Sequence, residues 1–228
     1  MGRKTIAGIL ALALWAQAGA ADWTFLYEKG GFRAYEMKGH PVAYKAEGIV
    51  PLSLAEVAAV LVDTPRQREW VNHLAESRVI SGDPLLRSVI YSRYSLPWPA
   101  ANRDVVIESV VAEDVARGEV RVQFWNTSSP AVPPGTRCIR VPLSEGNFLL
   151  RETGKDSVFV SYTIRLDPGG WLPDWIVRVF VRDAPYTTLR AFQAQVLRTR
   201  GQYDGFISAQ KGRWDAARKA TQGAARIP

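Results

Sequence analysis

The stretch Val158 to Phe180, VFVSYTIRLDPGGWLPDWIVRVF, decides the fold. In its first part Val158, Val160, Tyr162, Ile164 and Leu166 alternate with Phe159, Ser161, Thr163 and Arg165, a period of two that predicts a β-strand with one continuous apolar face. Gly169-Gly170 interrupts the strand, and beyond it the period changes. Trp175, Ile176, Val179 and Phe180 recur at helical spacing, and after a break at Pro185 the stripe resumes with Leu189, Phe192 and Val196. An amphipathic helix from Pro173 to Val196, kinked by its proline, therefore follows the last strand.

Upstream, period-two runs predict strands near Ser77–Ile80, Ser88–Ser95, Asp104–Val111, Glu119–Trp125, Arg137–Pro142 and Asn147–Glu152, joined as successive antiparallel hairpins by turns such as Ser81-Gly82-Asp83-Pro84 and Arg117-Gly118. An opening hairpin, Phe32–Lys38 with Val42–Val50, precedes them, with a turn at Gly30-Gly31. Between the two groups, Ser53 and Glu56 form a capping box for a helix carrying Leu54, Val57, Ala58, Leu61 and Val62, and a second short helical segment spans Pro65 to Leu74. Strands and helices are segregated along the chain, which predicts an α+β fold with a curved antiparallel sheet around the long C-terminal helix.

The 228 residues are 47% hydrophobic, 11% aromatic and 22% charged, with one cysteine, a composition that excludes a disordered or disulfide-stapled chain and suits one domain with a sizeable core. At the N-terminus, Arg3 and Lys4 precede an apolar run from Ile6 to Ala16 and a small-residue cleavage site ending at Ala20. This pattern predicts a signal peptide over residues 1–20 and a mature periplasmic or secreted protein, expected to be a monomer. Cys138 is expected as a buried strand residue. The net charge of +7 is not spread over the chain: after Leu197 seven Lys and Arg face two Asp, above a charge-balanced body. That distribution excludes a nucleic-acid-binding face. It leaves two readings of the basic tail, residues 201–228: a solvated end, or a transient contact with an anionic membrane through Arg213, Trp214, Arg218 and Lys219.

Hydrolase, nucleotide-binding and zinc-protease motifs are absent from the sequence. His73 has Glu69 four residues before it and Glu76 three after, but an exposed helix face explains the trio better than a metal site, and neither metal nor cofactor is expected. What stands out is aromatic. Trp98, Trp125, Trp171 and Trp175 belong to a set of eight Trp, eight Tyr and eight Phe, residues that commonly line concave apolar sites.

Three runs carry a family resemblance: Asp63 to Trp70; Leu96-Pro97-Trp98-Pro99 through Asn102-Arg103-Asp104-Val105-Val106; and Leu166-Asp167-Pro168-Gly169-Gly170-Trp171 through Ala184-Pro185. Together they resemble the START (steroidogenic acute regulatory protein-related lipid transfer) family, over residues from Trp23 to Val196, within a START-like lipid-binding domain at 21–200. The resemblance implies a helix-grip, Bet v 1-like fold, with a tunnel for one lipid-like ligand and the C-terminal helix as a lid that opens at a membrane. It also implies binding and transfer without chemical change; related helix-grip folds that are cyclases supply the alternative, an enzyme acting on a hydrophobic substrate. Two departures mark this chain. The long N-terminal helix usual in the family is absent or vestigial, and Ser109 stands where sterol-binding members carry an arginine, which argues against a sterol.

By residue parity the cavity wall expected on the sheet is Val105, Ile107, Ser109 and Val111, with Tyr162 from the last long strand. Ile176, Val179 and Phe180 face it from the helix, and Arg93 is the expected buried charge, which needs an anionic or hydrogen-bonding partner such as a ligand carboxylate, phosphate or hydroxyl.

Overall fold

A computed structural model describes residues 23–39, 41–135 and 138–224, so the expected signal peptide lies outside the described residues. Among the described residues ten strands form one curved sheet. They are β1 (Thr24–Lys29), β2 (Phe32–Met37), β3 (Ala43–Val50), β4 (Leu74–Asp83), β5 (Arg87–Tyr94), β6 (Asn102–Asp114), β7 (Glu119–Asn126), β8 (Cys138–Arg140), β9 (Leu143–Gly154) and β10 (Ser157–Asp167). Neighbours run β1-β2-β3-β10-β9-β7-β6-β5-β4, all antiparallel. The expected antiparallel hairpin order holds except at β8, which lies parallel to β6 with Asn102 opposite Cys138. Cys138 is half-buried there rather than buried. The opening hairpin gains a strand, because Gly30 and Gly31, both at positive φ, turn the chain from β1 into β2.

The helices lie against one face of this sheet. Helix α1 (Leu54–Val62) starts at Ser53, whose backbone N–H and hydroxyl both donate to Glu56 at 3.0 and 2.6 Å. It is buried along nearly its whole length, so its apolar residues serve as core between sheet and C-terminal helices. The segment expected as helix from Pro65 to Leu74 is a 3-10 turn, Thr64–Glu69, followed by an irregular bend.

The expected long helix consists of three pieces: α2 (Asp174–Val177), a π-helical turn (Arg178–Arg182) and α3 (Ala184–Arg198). Pro185 falls in the first turn of α3, where its missing N–H costs nothing, so the break lies at Asp183 rather than inside the helix. Leu189, Phe192 and Val196 of α3 are fully buried with Phe148, Leu150, Val158 and Val160 of the sheet. Each such side chain contributes roughly 1.5–3 kcal/mol by leaving water.

Past a turn at Thr199–Tyr203 stands a further helix, α4 (Asp204–Ala224), where the sequence suggested a tail. It is docked on the body. Ile207 and Trp214 are buried in the core, and Trp214 Nε1 donates to Glu113 at 3.1 Å.

Candidate ligand-binding cavity

Between the concave face of the sheet and the C-terminal helices lies a cavity of two lobes, about 120 and 130 Å³, that share Val71, Tyr94, Val105, Ser144, Tyr162, Ile164 and Thr188 in their walls. The pleat of β6 builds one wall. Val105, Ile107, Ser109 and Val111 alternate inward and all line the inner lobe, with Val105 reaching both. Register then dictates their neighbours: Ser92 stands opposite Val105 and Ile90 opposite Ile107 on β5, while Phe124 stands opposite Ser109 and Val122 opposite Val111 on β7. Tyr162 of β10 stacks on Phe148 of β9 with ring centroids 4.1 Å apart, which fixes its ring at the waist between the lobes.

The outer lobe is bounded on one side by the C-terminal helical segment. In the π-helical turn the Asp183 N–H donates to the Arg178 carbonyl, five residues back, at 3.0 Å. This wider turn sets Val179, Phe180 and Val181 over the lobe. Opposite, His73 adopts a left-handed backbone (φ 62) and packs its ring on Phe180 at 4.1 Å. It is therefore part of the mouth and not of a helix face. Glu69 is engaged elsewhere, with Arg66 and Gln195.

Seven of the nine expected lining residues are thus brought together: Val105, Ile107, Ser109, Val111, Tyr162, Val179 and Phe180. Two are not. Ile176 of α2 is fully buried but outside the wall. Arg93 stands on the outer face of β5, opposite Asp104, with its guanidinium 3.5 Å from Glu76 and a third of its side chain exposed. Inward positions on that strand are Ile90, Ser92 and Tyr94.

The buried arginine is Arg103. It shares the parity of Val105, lines the outer lobe and is 3% exposed. Its Nε donates to the Pro168 carbonyl at 3.2 Å, Nη1 to Ala101, and Nη2 to Gly169 at 2.8 Å and Trp171 at 3.4 Å. Loss of solvent lowers its affinity for a proton from the ordinary arginine range. The loop that wraps it depends on Gly169 and Gly170, both at positive φ; a Cβ on Gly170 would stand 2.8 Å from Ile139 and 3.6 Å from the guanidinium. Asp104, the next residue, faces the other way and is held by Arg140 at 2.8 and 3.1 Å. Burial also pushes the Tyr94 hydroxyl up to about 12, and Tyr162 still higher, so both are neutral donors.

Around the mouth the surface is apolar. Trp98 is 90% exposed, Trp171 71% and Trp175 49%, beside exposed Val177 and Val179. Arg178 and Arg182 are exposed on the same helical segment.

The family model described as the START domain matches residues 9–196. The chain is 30% identical over 192 residues to an uncharacterized protein of Pseudomonas aeruginosa, a match spanning 82% of this chain and 94% of that one. Over 163 residues it is 27% identical to the phosphatidylcholine transfer protein of Mus musculus, covering 69% of this chain and 75% of that protein. The crystal structure of human STARD10 shares the fold, with a TM-score of 0.76 at 17% identity over 91% of this chain and 86% of that one.

Proposed function

The chain belongs to the START domain family, and from that premise we propose that it carries one hydrophobic, lipid-like molecule in its two-lobed cavity and exchanges it at a membrane through the lid, without chemical change. The observation that carries this is the wall itself: apolar side chains of β6, β7, β9 and β10 meet Val179 and Phe180 of the lid around an enclosed space, with hydroxyl and amide side chains interspersed. Burial of hydrocarbon there supplies binding at about 25 cal/mol per Å². Relatives named as phosphatidylcholine and ceramide transfer proteins support the class of activity. The described wall holds no carboxylate, lysine or cysteine, and its one imidazole, His73, packs on Phe180 at the mouth.

Membrane contact falls to the lid end in this proposal, where Trp98, Trp171 and Trp175 present amphipathic rings beside Arg178 and Arg182. The proposal includes export, on the strength of the basic, apolar and small-residue order of residues 1–20. Filling the cavity tests the site. With fluorescent lipid in donor vesicles, the protein should take up about one lipid per molecule, and Ile107→Trp and Val179→Trp should each lower uptake by about tenfold at unchanged circular dichroism. Full uptake in both folded variants would place the ligand elsewhere.

A further inference from the structure

Across both lobes the described lining carries one side chain with a formal charge at neutral pH, Arg103, and no carboxylate. All four acceptors around its guanidinium are backbone carbonyls, and the nearest carboxylate in sequence, Asp104, points to the opposite face of β6 and is bound by Arg140. Carbonyl dipoles solvate such a cation without cancelling its charge, and low-dielectric walls extend its field into the cavity. An anionic group placed there is favoured, and a cationic head group is disfavoured.

Tyr94 adds an independent observation. It stands directly across from Arg103 in the β5–β6 register, so the two side chains share the inward face. Its hydroxyl has no hydrogen-bond partner among the described residues, although the residue lines both lobes. Lining the cavity, this hydroxyl can donate to a ligand oxygen. Taking lipid carriage as the premise, we propose that the ligand bears an anionic group, a carboxylate or a phosphate, seated between the Arg103 guanidinium and the Tyr94 hydroxyl. Its hydrocarbon then occupies the inner lobe among Ile107, Val111, Val122 and Phe124. The sequence pointed to a buried arginine as the ligand's polar anchor and placed it at Arg93; the register of the sheet transfers that role to Arg103.

Two matched pairs of probes test this on the purified, delipidated protein. Oleate is compared with oleyl alcohol by titration at about pH 8, where the carboxylate is ionised. Dioleoylphosphatidic acid is compared with dioleoylglycerol, which lacks the phosphate, by extraction from vesicles. A preference of about tenfold or more for the anion is expected in at least one pair: in the first it identifies a carboxylate ligand, in the second a phosphate. In folded Arg103→Gln the ratio of anionic to neutral binding should fall to about one, whatever the absolute affinities, and Tyr94→Phe should reduce that ratio about threefold. Equal binding within both pairs by the parent protein overturns the proposal, and needs no variant to fold. A preference that persists in folded Arg103→Gln overturns it too. Uptake of the neutral probes alone leaves lipid carriage standing while removing the anion site, whereas uptake of none of the four removes both.

Discussion

Glu69 shows how a single side chain joins the 3-10 turn to the C-terminal helix. Arg66 donates to both of its oxygens at 2.7 and 2.9 Å, Gln195 of α3 adds a bond of 2.8 Å, and Arg198 approaches to 3.3 Å. The Arg66 bonds first, then Gln195, hold the carboxyl down at about 2. Because the folded value lies below the ordinary carboxylate value, its contribution to stability is fully present above about pH 4.5 and is lost as pH falls through that value toward about 2. Urea midpoints of the parent and Glu69→Gln should therefore differ at about pH 7 and converge near pH 2; a constant gap would show that the carboxylate charge is not what matters. Exposure to solvent keeps the effect modest. At this scale the cavity was partly legible in the sequence. The parity of Val105 to Val111 placed one wall, because a strand's period is two wherever it pairs. Arg103 carried the same signal two residues earlier. Arg93 did not, since both faces of β5 mix polar and apolar residues and only its register with β6 tells which faces inward.

The lid and the β5–β6 loop act as elements. Arg103 ties them to each other by donating from its guanidinium to carbonyls of the turn after β10, so the loop ending in Trp171 is anchored at the cavity while Trp171 itself projects outward. Trp98, on the facing loop, is still more exposed, and neither ring belongs to the buried core. Large exposed apolar surface of this kind marks an interaction site, and tryptophan prefers the membrane interface. Replacing both in Trp98→Ala/Trp171→Ala should slow transfer between vesicles by about tenfold or more while lipid bound per molecule and thermal midpoint stay near those of the parent. Unchanged transfer would remove the lid end as the docking surface. Helical spacing revealed this segment in the sequence, but its division into α2, a π turn and α3 was not legible, because a π turn leaves no period of its own in so short a run.

Over the whole molecule, the basic excess after Leu197 has a structural destination. Arg198 faces Glu69, Arg200 lies 3.7 Å from Glu56, Arg213 lies 2.7 Å from Glu113 and Arg218 lies 3.1 Å from Glu152, so most of these cations meet carboxylates of the body. Composition alone could not reveal this, since a charge count carries no partners. Glu113 collects three donors from α4, namely Gln210, Arg213 and the indole of Trp214, and Trp214 is 6% exposed. Tyr203 adds a bond to Asp63 at 2.8 Å just before the helix. A solvated end could be cut away without consequence; this helix cannot. Deleting residues 204–228 exposes core around Ile207 and Trp214 and strips Glu113 of its donors, a loss of about 3–5 kcal/mol by analogy with large-to-small core substitutions. In a chain of this size that corresponds to a fall in thermal midpoint of about 10 °C. Calorimetry of the truncated and full chains decides the matter, and equal midpoints would mean that α4 is not part of the folded unit. If the midpoint falls as expected, salt dependence of transfer should be traceable to Arg178 and Arg182 on the lid, each contributing about 1 kcal/mol near an anionic surface. Their double replacement by Gln should flatten it while leaving the thermal midpoint in place.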